Sequence, residues 1–173
     1  VTVPEATSRL AFRLWRDDDV PLAMAIWGDP RVAALVGGPF DEAQVRARLA
    51  TELANQADHG VSYWPLLLAD GAHAGCCGLR PRDPARRIYE LGFFLRPEHW
   101  GQGYAVEAGR SVIAFAFEAL AAPALFAGHH PDNHASRRTL EKLGFRYTHH
   151  ELYPPTGREH PGYELRCPRD ERD

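Results

Sequence analysis

The chain has 173 residues, 45% hydrophobic and 25% charged, with 20 Lys and Arg against 23 Asp and Glu for a formal net charge of -3. That length suits one core, so residues 1–173 are expected to form a single domain, and the composition excludes a disordered chain. The slightly acidic balance gives no electrostatic reason to bind nucleic acid, no apolar run approaches the roughly 20 residues that span a bilayer, and the opening residues lack a signal-peptide pattern; a cytoplasmic protein without nucleic-acid or membrane partners is expected.

Arg9 to Trp15 (RLAFRLW) alternates polar and apolar residues as a half-buried strand does, and Asp17 to Asp19 then offer caps for an apolar-periodic helix. Asp41 with Gln44 three residues on fits a capping box, and Val45, Leu49 and Leu53 carry a helical stripe towards Gln56. Tyr63 to Ala69 and His73 to Leu79 are apolar runs around the turn signal Asp70-Gly71, which predicts a hairpin opening a β-meander. Pro81, Asp83 and Pro84 predict a break, after which Ile88 to Leu95 is strand-like and ends at Pro97.

Gly103 to Leu120 predicts the long central helix, with Ala105, Gly109, Val112, Ala116 and Leu120 along one face. Ala124 to Gly128 reads as a short strand, Asn133 to Leu143 as a helix stopped by Gly144, and Phe145 to Leu152 and Gly162 to Cys167 as final strands, with a frayed PRDERD end. The adjacent Cys76 and Cys77 and the isolated Cys167 make neither a metal knuckle nor a disulfide framework, and are expected as reduced, buried thiols.

The strand ending at Leu95 feeds a turn with glycines at 101 and 103 and then the long helix. Glycine permits close backbone approach and unusual dihedrals, while the first helical N–H groups carry roughly half a positive charge towards whatever lies ahead, so the junction suits a pyrophosphate held without basic side chains. A tight turn alone would use the same glycines. A dinucleotide fingerprint is excluded, because position 106 is Val and the turn falls late in the chain.

The string Trp100-Gly101-Gln102-Gly103-Tyr104-Ala105 resembles the acetyl-CoA turn Q/R-x-x-G-x-G/A of the GNAT acetyltransferases. Trp at its first position, within W-G-x-G-Y-A-x-E-A, is similar to the ribosomal-protein N-terminal (alanine/serine) acetyltransferase branch. Thr7-Ser8-Arg9-Leu10, Asp29-Pro30, and Asn133-His134-Ala135-Ser136 running on to Leu143-Gly144-Phe145 extend the resemblance over nearly the whole chain. It implies an α/β (α+β) fold: a mixed, mostly antiparallel sheet of six to seven strands flanked by about four helices, with a splay between strands 4 and 5.

The same resemblance implies acetyl-CoA as cosubstrate, no metal, and direct attack of an amine on the thioester through a tetrahedral intermediate. Phe93, Phe94 and Leu95 would pair with the pantetheine arm, Gly101, Gln102, Gly103, Tyr104 and Ala105 would take the pyrophosphate, and Asn133 would bond near the cofactor or only cap its helix. Arg137 and Arg138 fall near the phosphates, Arg138 being retained as a cofactor residue. The tyrosine that many members use to protonate the thiolate is replaced by Leu140, and Ser136 takes the place of a serine near the sulfur, as the candidate proton donor.

Glu90, on the strand leading to the turn, is the candidate base, with an ordinary exposed strand residue as the alternative. His129 and His130 end the strand before the acetyl position, where alternation allows only one to face the cleft. With His134 they suggest a metal, but no carboxylate or cysteine completes a zinc spacing. The acceptor is expected to be a protein N-terminal α-amino group, or else a small amine such as an amino acid, polyamine or aminocyclitol; a non-catalytic acyl-CoA sensor is the reading from another class. Asp17 to Asp19, Gly37 to Glu42 and Tyr153 to Pro161 are the segments expected to select it. The final strands offer an edge through which a homodimer can form.

Overall fold

The computed structural model describes residues 2–168. The frayed end expected from Pro168 lies, from residue 169 onward, outside the described residues. In chain order the elements are β1 (Leu10–Phe12), α1 (Val20–Trp27), α2 (Pro30–Ala33), α3 (Glu42–His59), β2 (Tyr63–Leu68), β3 (His73–Asp83), β4 (Ile88–Leu95), α4 (Tyr104–Glu118), β5 (Ala124–Gly128), α5 (His134–Lys142), β6 (Arg146–Tyr153) and β7 (Arg158–Arg166). Among the described residues five α-helices stand where about four were expected, the addition being the one-turn α2, started by Asp29 accepting from the Arg31 N–H.

The strands form one sheet in the order β1-β2-β3-β4-β5-β7-β6, antiparallel throughout except for β4 beside β5. This is the mixed sheet that the resemblance implies, with seven strands. Both of its faces are covered. Tyr63 and Cys76 join Trp27, Val45 and Leu49 of α1 and α3, whereas the next residues, Trp64 and Cys77, join Val112 and Phe115 of α4 and Leu140 of α5. Continuous apolar runs in β2 and β3 follow from this double burial, since alternate side chains each need a core. The cysteine doublet serves one core each. Both thiols are free, and burial pushes both upward, which suits packing rather than reactivity.

Several boundaries differ from the sequence expectation for physical reasons. β3 runs on through Pro81 to Asp83, because beyond Gly78 it has no β2 neighbour and a proline is tolerated at such an edge. β7 begins at Arg158 rather than Gly162 for the same reason: Pro161 pairs with β6, and pairing with β5 starts only at Gly162. Asp19 does not cap α1 with its side chain; its carboxylate instead takes both Arg13 guanidinium nitrogens at 2.7 and 2.8 Å and the Arg16 N–H at 2.8 Å. The capping box at Asp41 and Gln44 forms as expected, but the buried stripe of α3 runs Val45, Leu49, Glu52, with Leu53 only packed against it. The buried face of α4 likewise centres on Ala108, Val112 and Phe115, beside Gly109 and Ala116, with Ala105 and Leu120 at its margins.

Candidate active site

β4 and β5 are paired only at Tyr89–Leu125 and Glu90–Phe126. Beyond Glu90, β4 continues to Leu95 with β3 on its outer edge, while β5 stays with β7 until it ends at Gly128. The two strands therefore part, and the inner edge of Leu91 to Leu95 is left without a neighbouring strand along a cleft of about 680 Å³. Phe93, Phe94 and Leu95 line that cleft. Backbone N–H and C=O groups in such a row need partners, and an extended chain bearing amides satisfies them as an added strand does.

At the far end of β4, a 3-10 turn at Pro97–His99 leads to Gly101 and Gly103, both left-handed with φ of 72° and 79°. The Trp100 indole closes this loop by donating to the Leu95 carbonyl at 2.9 Å. Gly103 is the N-cap of α4, no side chain caps the helix, and the Glu107 N–H bonds the Gly103 carbonyl. The N–H groups of Tyr104, Ala105 and Val106 precede the first helical donor, that of Glu107, and so have no acceptor within the helix, at residues that line the cleft. A Cβ on Gly101 would meet nothing within 4 Å, and one on Gly103 only the Arg9 Nη2 at 3.7 Å, so there is open space in front of these amides.

Gly101, Gly103, Tyr104 and Ala105 line the cleft, but Gln102 does not; it is exposed, and its Nε2 donates to the Glu98 carbonyl at 3.5 Å. The turn does not lack a basic neighbour, contrary to expectation. Arg9 lies 4.4 Å from the Tyr104 ring centroid and pairs with Glu107 at 2.6 Å, while the Thr7 hydroxyl donates to the same carboxylate at 2.6 Å. The Thr7-Ser8-Arg9 string ties the start of β1 to the first turn of α4, where a carboxylate also suits the helix dipole.

On the opposite wall, Asn133 caps α5 by accepting from the Ser136 N–H at 3.0 Å. Asn133, Ser136 and Arg138 all line the cleft, whereas Arg137 points elsewhere and pairs with Glu141 at 2.9 Å. Leu140 is buried. His129 and His130 both line the cleft, which corrects the expectation that only one can; they follow the last β5 residue, Gly128, so strand alternation no longer governs them. The His129 Nδ1 meets the His130 carbonyl at 2.7 Å, which makes that nitrogen the donor and leaves Nε2 to accept from the Tyr163 hydroxyl at 3.1 Å. Burial lowers the His129 pKa and keeps the ring neutral.

Glu90 stands where the strands part and is partly buried rather than exposed. Burial raises its pKa, the nearby Arg82 and Arg80 oppose that rise, and Glu151 adds to it. A carboxylate held in this way is a stronger base than one in water. Beneath it, Gly92 gives the Tyr63 ring room on β4, since a Cβ there would run into the ring and hydroxyl. The remaining side of the cleft carries Tyr153 and His160, from the late segment expected to select the acceptor, with Arg48 and Arg80, which did not stand out in the sequence. Arg48, from α3, is brought to the cleft only by the folded chain.

Of the three segments expected to select the acceptor, the late loop contributes Tyr153, His160 and Pro161, and the middle one stands behind the wall, with Gly37 packed on Pro155 and Phe40 against Arg48. Asp17 to Asp19 do not line the cleft. Among the described residues, no group of three or more His, Cys, Asp or Glu could hold a metal ion, and no helix is long and apolar enough to cross a membrane.

A family model described as Acetyltransferase (GNAT) domain matches residues 9–146. The uncharacterized protein YkkB of Bacillus subtilis (strain 168) is 31% identical over 147 residues, covering 82% of this chain and 84% of that one. The acetyltransferase from Agrobacterium tumefaciens str. C58 superposes with a TM-score of 0.81 at 29% identity, covering 95% of each chain. A RimL ribosomal L7/L12 alpha-N-protein acetyltransferase, solved in complex with coenzyme A, superposes with a TM-score of 0.80 over 94% of this chain and 97% of that one; at 13% identity this is a likeness of fold.

Proposed function

The chain belongs to the GNAT acetyltransferase family, and from that premise we infer that it moves the acetyl group of acetyl-CoA directly onto an α-amino group, that of a protein N-terminus. The observation that carries this reading is the combination, in one cleft, of an unpaired β4 edge, an uncapped α4 N-terminus with two left-handed glycines, and a partly buried carboxylate where β4 and β5 part. The edge at Phe93 to Leu95 suits an amide-bearing arm, and the α4 N-terminus suits a pyrophosphate. Arg138 adds a cation on the α5 side, and the Asn133 amide nitrogen, free of its capping oxygen, has a proton to offer.

An α-amino group of pKa about 7.7 to 8 is neutral in a usable fraction near pH 7, whereas a lysine near 10.4 is not, so a carboxylate of raised pKa suffices as its base. Glu90 accepts the proton that the amine nitrogen loses on bonding to the acetyl carbon. Ser136, at the first turn of α5, gives its hydroxyl proton to the sulfur as the carbon–sulfur bond breaks, and regains one from water. A thiol pKa near 8.5 makes the sulfur a fair leaving group even without full protonation, so Ser136 contributes less than Glu90. A serine and a carboxylate facing the same gap favour turnover over a non-catalytic sensor.

Titration of the protein with acetyl-CoA and CoA, followed by acetylation assays on N-terminal peptides and on small amines, tests this reading. Saturable binding with transfer to peptide α-amines supports it; a folded protein that binds neither compound overturns it.

A further inference from the structure

The acceptor side of the cleft carries one guanidinium, Arg48, that no ion pair among the described residues engages. Arg48 reaches the cleft from α3 with its guanidinium 4.1 Å from the Phe40 ring centroid and 5.8 Å from that of Trp27. Its helical neighbour Glu52 is engaged elsewhere. That carboxylate, fully buried, takes Nε and Nη2 of Arg80 on one oxygen, and on the other the Ser62 hydroxyl at 3.1 Å and the Tyr63 N–H at 2.8 Å. Arg80 itself lies over the Tyr63 ring at 4.3 Å. Arg48 has no ion pair among the described residues, and the Tyr153 side chain is its polar neighbour in the cleft.

Arg80 therefore takes the carboxylate four residues from Arg48, and Arg48 stands partly buried without one of its own. Burial and the nearby Arg80 both lower the Arg48 pKa, which shows that its charge is held at a cost. A planar, five-donor fork with donors to spare, backed by aromatic rings, is a recognition element for a carboxylate. Across the same cleft stands the carboxylate of Glu90, while that of Glu151 is held by Arg82 at 2.8 and 3.1 Å. Cation-attracting and anion-attracting groups are thus separated within one acceptor pocket.

We propose that the amine acetylated here carries a carboxylate of its own, which Arg48 binds with the help of Tyr153, making Arg48 the residue that selects the acceptor. The proposal rests on the acetyl-transfer reading. The carboxylate has two sources: the α-carboxylate of a free amino acid, or the side chain of an acidic residue at or beside a peptide N-terminus.

Steady-state acetylation of matched acceptors tests it: free amino acids against their amides, and amidated peptides beginning with Asp or Glu against those beginning with Asn or Gln. Wild type is expected to favour the carboxylated member of one of the two sets by about tenfold to a hundredfold in kcat/KM, the range of a hydrogen bond to a charged group, and the favoured set identifies the source. Arg48→Gln should erase that preference through KM, with the larger loss on the carboxylated acceptors and CoA affinity retained, and Arg48→Lys should restore part of it; Tyr153→Phe gives a milder loss should Arg48→Gln fold poorly. Equal turnover of charged and neutral partners in both sets, or an equal loss for both in Arg48→Gln, overturns the proposal while leaving acetyl transfer intact. Acetyl-CoA binding without acetylation of any acceptor overturns the transfer reading, and the proposal with it.

Discussion

Glu52 and Arg80 are joined by an ion pair in which the carboxylate is fully buried and the guanidinium stands at the wall of the cleft. The same carboxylate bonds Ser62 and the Tyr63 backbone, so a single side chain of α3 fixes the charge state of the acceptor pocket and the start of β2 together. Removing it leaves Arg80, partly buried at the cleft wall, without its ion pair, and Ser62 and the Tyr63 N–H without their acceptor. Glu52→Ala should lower unfolding stability by about 3 to 5 kcal/mol, read from denaturant titration. A loss under about 1 kcal/mol would show that the pair is not structural.

Glu90→Gln keeps the shape of the base and removes its charge. With acceptor saturating, kcat should fall by about a hundredfold, and the acid limb of the wild-type pH profile should disappear. Because burial raises the Glu90 pKa, that limb lies at higher pH than for an ordinary carboxylate: activity is present above the raised pKa and is lost as pH falls through it. An unchanged acid limb in Glu90→Gln assigns the base to another group. Ser136→Ala, measured beside it, should lose less.

Gly103→Glu places bulk and negative charge at the N-cap of α4, where space opens in front of the first helical amides. Affinity for both CoA and acetyl-CoA should be lost by calorimetric titration, with the fold retained by circular dichroism. Gly101→Ala separates strain from blockage: its Cβ meets nothing, and the left-handed φ costs roughly 1 to 2 kcal/mol of stability. Retained CoA binding in Gly103→Glu would remove the pyrophosphate from this turn.

His73, at the start of β3, is buried, and burial together with the Arg96 charge lowers its pKa from 6.5 to about 4. The unfolded chain therefore binds a proton more readily between those values, so stability is full above about pH 6.5 and falls as pH drops towards 4, by up to about 3 kcal/mol. His73→Leu should flatten this part of the pH–stability curve. A variant as acid-sensitive as wild type would locate the effect in other groups.

Local chemistry made the elements legible. The capping box at Asp41, the Asp70-Gly71 turn and the branched run from Ile88 to Leu95 all appear where the sequence puts them, because each is decided by neighbours in the chain. The extensions of β3 through Pro81 and of β7 through Pro161 were not, since whether either proline is tolerated depends on which edge has a neighbouring strand. The cofactor half of the cleft was legible because it is one contiguous stretch from Phe93 to Ala105. In the acceptor half only the late segment that holds Tyr153 and His160 was legible; Arg48 and Arg80 come from separate elements, α3 and β3, and nothing in their neighbours marks them.

The pairing of β4 with β5 extends over only two residue pairs, and this bears on mechanics as much as on binding. The sheet is in effect two panels, β1 to β4 and β5 with β7 and β6, joined by a short stitch at Tyr89 and Glu90. A ligand lying along Leu91 to Leu95 lengthens that stitch, so occupancy should stiffen the molecule across its middle: amide exchange along this stretch slows, and the two panels unfold as one cooperative unit in the complex.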